Sequence, residues 1–194
     1  MNITTDAIKA LRHKTGISVM QCKKALEEAG GDERKALDIL AQKSADLAKK
    51  KFDRTLGAGV VQAYVHGNRE VGAMVLLSCE TDFVAKNEEF VRLAYDISMH
   101  AAALRPLYVR RSDVPQEEVD RLRADFSKEA EGKPEEVKEK IIEGKLGAHL
   151  AQFVLLEQIF IKDDAKKIQD LIDAAIQKFG ERVEVVKLEV FSAK

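Results

Sequence analysis

Apolar residues in the first fifty positions recur at intervals of three and four, the period of a helix with one buried face. Ile8 and Leu11 are the inward positions of a helix from Asp6 to about Lys14. Thr15-Gly16 stops it, because glycine enters the left-handed C-cap conformation without a Cβ penalty. Ser18 has the form of an N-cap, and Gln21 three residues later completes a capping box. Val19, Cys22, Leu26 and Ala29 follow at helical spacing, and Gly30-Gly31 ends the second helix. Asp32 caps a third, with Ala36, Leu37, Leu40, Ala41 and Leu47 inside. These helices predict a domain over residues 1–52. A unit so small has a thin core and works as a satellite of a larger body.

From Val61 the period changes to two. Val61, Ala63 and Val65 alternate with Gln62, Tyr64 and His66, and Gly67-Asn68 is a two-residue turn signal. Val71, Ala73, Val75 and Leu77 then alternate with Gly72, Met74, Leu76 and Ser78, completing a β-hairpin. A long helix is predicted from near Val84 to about Leu104, with Phe90, Ala94, Ile97, Ala101 and Leu104 as its stripe. Pro106 ends it, and Leu107-Tyr108-Val109 adds a short strand. A polar helical pair follows over about 115–130 and 134–153, with Pro134 in a first turn. The narrow stripe Val119, Leu122 and Phe126 suits a hairpin that projects from the body. The last elements are a helix over about 165–179, stopped by Gly180, and a strand from Val183 to Phe191. In that strand Val186, Leu188 and Val190 share one face, opposite Lys187 and Glu189. The fold class is α+β: a three-helix satellite, then a domain over 53–194 with a small antiparallel sheet, packed helices and the helical hairpin.

Charge narrows the function. Lys and Arg number 32 against 33 Asp and Glu, so the net charge is -1. A protein that grips nucleic acid or an anionic membrane carries a basic surplus, so neither partner is expected. Lys49-Lys50-Lys51 with Arg54 is a local basic run, read as a helix end passing into a linker, with an RNA-binding patch as the alternative. Only Cys22 and Cys79 are present, which excludes a disulfide scaffold. The opening residues lack the basic and apolar regions of a secretory signal. No apolar run approaches the ~18 residues of a spanning helix. A cytoplasmic location is expected.

His13, His66, His100 and His149 do not stand at metal-ligand spacing. His100, beside an apolar stripe, reads as a hydrogen-bonded structural residue. Gly57-Ala58-Gly59 lacks the third glycine of a dinucleotide fingerprint and leads into a strand. There is no phosphate-binding Gly-Lys-Ser/Thr loop and no nucleophile elbow. No catalytic residue, cofactor or metal is assigned, and an interaction protein fits better than an enzyme.

The junction Glu80-Thr81-Asp82-Phe83-Val84-Ala85-Lys86-Asn87 joins a buried strand to a helix. Thr81 or Asp82 can cap that helix, and Asp82 suits the positive end of its dipole. Phe83 lies seven residues before Phe90, so burial against the sheet is one reading. The other is a carboxylate and an aromatic ring presented together on a rigid tip that wedges a partner.

The segment Thr81-Asp82-Phe83-Val84-Ala85-Lys86-Asn87 closely resembles the signature of the elongation factor Ts family, the nucleotide exchange factors of the GTPase elongation factor Tu. Leu11-Arg12-His13-Lys14-Thr15-Gly16 with Cys22-Lys23-Lys24-Ala25-Leu26 resembles the family's N-terminal domain, related to ubiquitin-associated domains. Glu139-Lys140-Ile141-Ile142-Glu143-Gly144-Lys145-Leu146 and Leu155-Leu156-Glu157-Gln158, then Phe160 and Lys162-Asp163, resemble its later signature. Val19-Met20, where the family often has two methionines, Ile159, where it usually has proline, and the loosely matching last strand depart from the pattern. The resemblance implies that Thr81, Asp82, Phe83 and Val84 bind GDP-bound elongation factor Tu, dislocate its Mg²⁺ and release GDP. It places Arg12, Val19 and Met20 against the same G domain. The chain has room for one of the two core subdomains of longer members, which implies a homodimer. The competing classes are a ubiquitin-associated-type adaptor without exchange activity and a metabolic enzyme.

Overall fold

A computed structural model describes residues 3–193; Met1, Asn2 and Lys194, at the outer ends of the two expected domains, lie outside the described residues. Helix α1 spans Thr5–Thr15, and the Thr4 hydroxyl accepts the Ala7 N–H at 3.2 Å. Gly16 closes it at φ 70°, with its N–H donated to the Arg12 carbonyl. Helix α2 spans Val19–Glu28. Ser18 caps it, but the Gln21 side chain meets the Ser18 hydroxyl at 2.8 Å rather than the cap's backbone N–H, so only half of the capping box forms. Helix α3 spans Glu33–Lys51, capped by Asp32.

Leu11, Ile17, Cys22, Ala25, Leu26, Ala36 and Leu40 form the core of these three helices. Three expected inner positions are corrected. Val19 is 48% exposed, because the first residue of α2 overhangs the end of the buried stripe. Leu37 and Ala41 are also exposed, since the buried line of α3 runs Ala36, Leu40, Ser44 and Lys51, at intervals of one, one and two turns.

Strands β1 (Ala58–Val65), β2 (Val71–Cys79) and β5 (Val183–Ser192) form one sheet in the order β1-β2-β5. The hairpin forms, but not around a two-residue Gly67-Asn68 turn: the His66 N–H donates to the Val71 carbonyl across residues 67–70, and Arg69, at φ 62°, takes the left-handed position. Along β1 the alternation holds, yet Val61 and Val65 are on the open face while Gln62 and Tyr64 are half-buried. Tyr64 covers more apolar area than valine and packs edge-on to Tyr95 at 5.9 Å. In β5 the buried positions are Val183 and Val185, then the inward side passes to Leu188 and Val190. Val186 is therefore exposed rather than sharing the face of Leu188 and Val190.

The single long helix predicted from Val84 is two. Helix α4 is one turn, Asp82–Ala85, and α5 runs Glu88–Leu104. The Asn87 side chain accepts the Glu89 N–H at 2.9 Å and its carbonyl accepts the Val91 N–H, so Asn87 starts a helix instead of continuing one. Phe90, Ala94, Ile97 and Ala101 are fully buried along α5, while Leu104 is exposed at its end.

Helices α6 (Gln116–Glu129) and α7 (Glu135–Leu150) make the predicted hairpin, with Pro115 and Pro134 at the N-cap positions rather than inside the first turns. Val114, Leu146, Leu150 and Val154 form its core, with Val119, Leu122 and Phe126 against them. The expected strand over 107–109 is reduced to one bridge between Tyr108 and Val154. The short strand β3 (Ile159–Phe160) pairs antiparallel with β4 (Asp163–Lys167), and only then does α8 begin, over Ile168–Phe179. The predicted helix start at 165 is thus early by about one turn; the pairing with β3 overrides the helix propensity of Ala165-Lys166-Lys167.

The chain divides into two compact units, one of Met1–Val61, Leu76–Ala94 and Gln169–Val185, the other of Gln62–Val75, Tyr95–Ile168 and Val186–Lys194. Each follows its own logic. In the first, Phe90 and Phe179 meet edge-on at 5.9 Å. In the second, Ala73, Ala101 and Ala102 are buried against Tyr64, Val71, Leu188 and Val190, small residues that let helix and sheet approach closely. His100 is fully buried there; its Nδ1 accepts the Ile161 N–H at 3.3 Å and its Nε2 faces Gln158 Oε1 at 3.0 Å. It is the hydrogen-bonded structural histidine expected.

Candidate functional site

Strand β2 ends at Cys79, and Glu80-Thr81 turns the chain into α4. Thr81 is extended, at φ -125° and ψ 155°, and its hydroxyl accepts the Val84 N–H at 3.5 Å. Thr81, not Asp82, is therefore the cap. Asp82 is the first helical residue and Phe83 the second. Phe83 is 81% exposed, which removes the burial reading. The reason lies in the break at Lys86-Asn87: Phe83 and Phe90 are on different helices, so their seven-residue spacing no longer places them on one face. Val84 and Ala85 take the inward side of the turn and are buried. Of the four predicted tip residues, Thr81, Asp82 and Phe83 reach the surface, and Val84 anchors them from below.

Asp82 pairs with Lys86 at 2.7 Å, one turn on. The Lys86 ammonium holds the Asp82 carboxyl below its ordinary range, so the tip carries a carboxylate at neutral pH. Both side chains are about three-quarters exposed, and such a pair is worth little. Asp82 can change partners at small cost.

The base of the tip is tied to the turn that leads into β5. Glu181 Oε2 accepts the backbone N–H groups of Glu80 and Thr81 at 3.1 and 3.0 Å, and Oε1 accepts the Thr81 hydroxyl proton at 2.6 Å. In return Glu80 Oε1 accepts the Arg182 N–H at 2.6 Å. Arg54 also reaches the Glu80 carboxylate, at 3.1 Å. Burial alone would raise the pKa of Glu80, but the Arg182 N–H and the Arg54 guanidinium outweigh it and hold the group below its ordinary value. Arg182 donates to the Arg54 carbonyl at 2.6 Å and lies over the Phe52 ring at 5.1 Å. The buried Lys51 ammonium donates to the Gly180 carbonyl. Cys79 donates its S–H to the Thr81 carbonyl at 3.2 Å, and burial pushes its thiol pKa up. Lys51 and Arg54 of the basic run thus act locally, inside this network.

Sequence reading missed Glu80 as a structural acid and missed Glu181 and Arg182 altogether. Charged residues 100 positions from the tip give no periodic or spacing signal. Their one local cue is Gly180, at φ 69°, which turns the chain between α8 and β5 and so marks a corner.

Arg12, Val19 and Met20 are all exposed, Met20 by 63%. Arg12 lies in the last turn of α1, and Val19 and Met20 are consecutive exposed apolar residues in the first turn of α2. Among the described residues no group of three or more His, Cys, Asp or Glu is placed to hold a metal ion, and no helix is long and apolar enough to cross a membrane.

The family "Elongation factor TS" matches residues 24–193, which include the tip and every group that ties it down. The chain is 48% identical to the elongation factor Ts of Thermotoga petrophila over 95% of its own length and 93% of that protein. It is 48% identical to the elongation factor Ts of Thermodesulfovibrio yellowstonii, over 95% and 93%. To that of Thermosipho melanesiensis it is 44% identical over 98% of both chains. With matches of that extent on both sides, this chain belongs to the elongation factor Ts family.

Proposed function

We propose that the Thr81–Val84 tip is where this chain acts on elongation factor Tu in its GDP-bound state. Nucleotide exchange in translation is the role that membership of the family gives it. An adaptor resting on the N-terminal helices alone is not favoured, because the family match runs through residues 24–193. The chain makes and breaks no covalent bond in this role; it changes the affinity of a partner for its nucleotide.

The observation that carries the assignment is the 81% exposure of Phe83 beside the ionised Asp82 carboxylate on a one-turn helix with a buried underside. The ring enters an apolar gap on the partner's G domain. The carboxylate acts near the elements that position Mg²⁺, and loss of the ion leaves phosphate charge uncompensated, so GDP leaves. The coupling is reciprocal: whatever this chain does to GDP affinity, GDP does to its own affinity. A tenfold effect requires about 1.4 kcal/mol of coupling.

Arg12, Val19 and Met20 brace the same G domain in this reading, supported by their exposure. Residues 1–52 are taken as a domain of their own, since the core of α1–α3 closes among their own residues. The chain works as a cytoplasmic homodimer, supported by open apolar side chains at Val65, Met74 and Phe191. Its balanced charge favours a protein partner over nucleic acid or membrane. Release of fluorescent GDP from elongation factor Tu, with and without this protein, tests the assignment. Acceleration is expected, and an unchanged release rate sinks it.

A further inference from the structure

We infer that Glu181 is a positioning residue for the tip, setting the angle at which Phe83 is presented through three hydrogen bonds to the two residues before α4. This rests on the reading of Thr81–Val84 as the partner contact. Helix α4 is a single turn, and a lone turn does not hold itself together in water. Phe83 has no packing of its own to orient it, being 81% exposed. Its direction is therefore inherited from the backbone of the turn.

Glu181 fixes that backbone at its entry. One carboxylate oxygen takes two consecutive N–H groups, those of Glu80 and Thr81. The other takes the Thr81 hydroxyl proton. That proton assignment matters, because a hydroxyl that donates to Glu181 turns a lone pair toward the Val84 N–H, the bond that caps α4. The carboxylate thus orients the cap as well as the chain. The backbone on either side of Glu181 is held in turn: Lys51 donates to the carbonyl of Gly180, and the N–H of Arg182 donates to Glu80. The Thr81 carbonyl is also occupied, by the Ala85 N–H and the Cys79 thiol. Every polar atom of Thr81 has a partner, and two of them share Glu181. An element fixed in this way loses little freedom on binding, which is how preorganisation raises affinity and rate.

The test uses the full chain with Glu181→Ala, Glu181→Gln, Thr81→Ser and Thr81→Val, each alone and with Phe83→Ala. Amide hydrogen exchange of the protein by itself reads the clamp. In Glu181→Ala the Glu80, Thr81 and Val84 amides lose protection by roughly fivefold, the equivalent of one lost helix cap, while Val75 and Leu77 in the sheet are unchanged. Stimulation of GDP release falls by a similar factor. In hydrogen exchange Thr81→Ser, which keeps the hydroxyl, retains the protection of all three amides, while Thr81→Val, which keeps both backbone bonds to Glu181 but loses the cap, exposes the Val84 amide alone. Glu181→Gln, which keeps an acceptor for the N–H groups but not the second carboxylate oxygen, falls between the parent and Glu181→Ala. In the Phe83→Ala background Glu181→Ala removes no further activity. Unchanged tip protection in both Glu181 variants overturns the inference. So does a loss of activity equally large with and without Phe83, or a loss of protection spread through the sheet, since each marks a general structural role. If Phe83→Ala alone stimulates release like the parent, the tip assignment fails instead, and the hydrogen-exchange comparison still decides the clamp.

Discussion

Phe83 and Asp82 sit side by side but are held by different forces, and substitutions separate them. The ring contributes almost nothing to the fold, so Phe83→Ala should change the unfolding free energy by no more than the ~0.5 kcal/mol usual for surface positions, with little movement of the thermal midpoint. The same change removes an exposed aromatic of the kind that dominates protein interfaces. We expect stimulated GDP release to fall by roughly tenfold or more, equivalent to about 1.4 kcal/mol of lost coupling. A melt that drops by many degrees with the activity would return Phe83 to the core. Asp82 stands at the first position of α4, where a negative charge favours the helix dipole, and it pairs with Lys86. Because Thr81 is the cap, Asp82→Asn leaves the cap intact and removes only charge. Its melt should match the parent at pH 7 while its stimulation of GDP release falls. Equal activity of Asp82→Asn and the parent would take the carboxylate out of the mechanism and leave the ring alone.

At the scale of elements, what could be read from the chain was what neighbours in sequence decide. Gly16 at the end of α1 and Asp32 before α3 are local signals, and each formed as expected. The turn between β1 and β2 is at the expected place but of another kind, with Arg69 rather than Gly67 in the left-handed region. The break between α4 and α5 is local too, but it needs Asn87 to be weighed as a cap with Glu88 and Glu89 in the first turn behind it. The faces of β1 were less legible because both sets of residues contain apolar groups, and the choice fell to the larger ring of Tyr64. Strand β4 and the clamp from Glu181 depend on partners remote in sequence, so no window along the chain contains them. His100 joins two such remote elements, and it makes their union depend on pH. Burial lowers its pKa from the ordinary 6.5, so the folded chain holds the ring neutral. Its Nδ1 accepts the Ile161 N–H, a bond that a second ring proton destroys. Since the folded value is depressed, the contribution is complete above about pH 6.5 and is lost as the pH falls from there toward the folded value. The slope is at most ~1.4 kcal/mol per pH unit. The carboxylate of Glu157, held low by Arg111, adds its loss only at lower pH, below about 4.5. Melting curves from pH 7.5 to 5 should show the midpoint falling mainly below 6.5, and His100→Gln should flatten that part of the profile. A parent midpoint constant from pH 7 to 5 would show that His100 is protonated without cost.

At the scale of the whole molecule, the question is what covers the second face of the sheet. In the unit that contains Gln62–Val75 and Val186–Lys194, one face is buried by Ala101 and Ala102 against Tyr64, Ala73, Leu188 and Val190. The other face should be polar if it met only water, because antiparallel sheets with one wet face alternate apolar and polar residues. It is not polar. Val65 is 66% exposed, Met74 47% and Phe191 66%. A Cβ added at Gly72 would meet Val65 Cγ2 at 3.4 Å, so the even positions of β2, Met74 among them, share the open face with Val65. Apolar side chains open on a sheet are costly in a monomer and mark a contact site. A second copy of the same face is the simplest cover, since a two-fold axis pairs a patch with itself. The proposed homodimer predicts that Val65→Lys and Met74→Lys sediment as monomers at concentrations where the parent is expected to sediment as a dimer. Their melting curves at low concentration should match those of the parent, because neither side chain is needed inside the protomer. A parent that sediments as a monomer throughout would leave this face without its second copy. The same experiment separates assembly from exchange. The tip and all its ties lie in the other unit, so a folded monomeric variant should keep the Phe83-dependent part of its effect on GDP release even as assembly is lost.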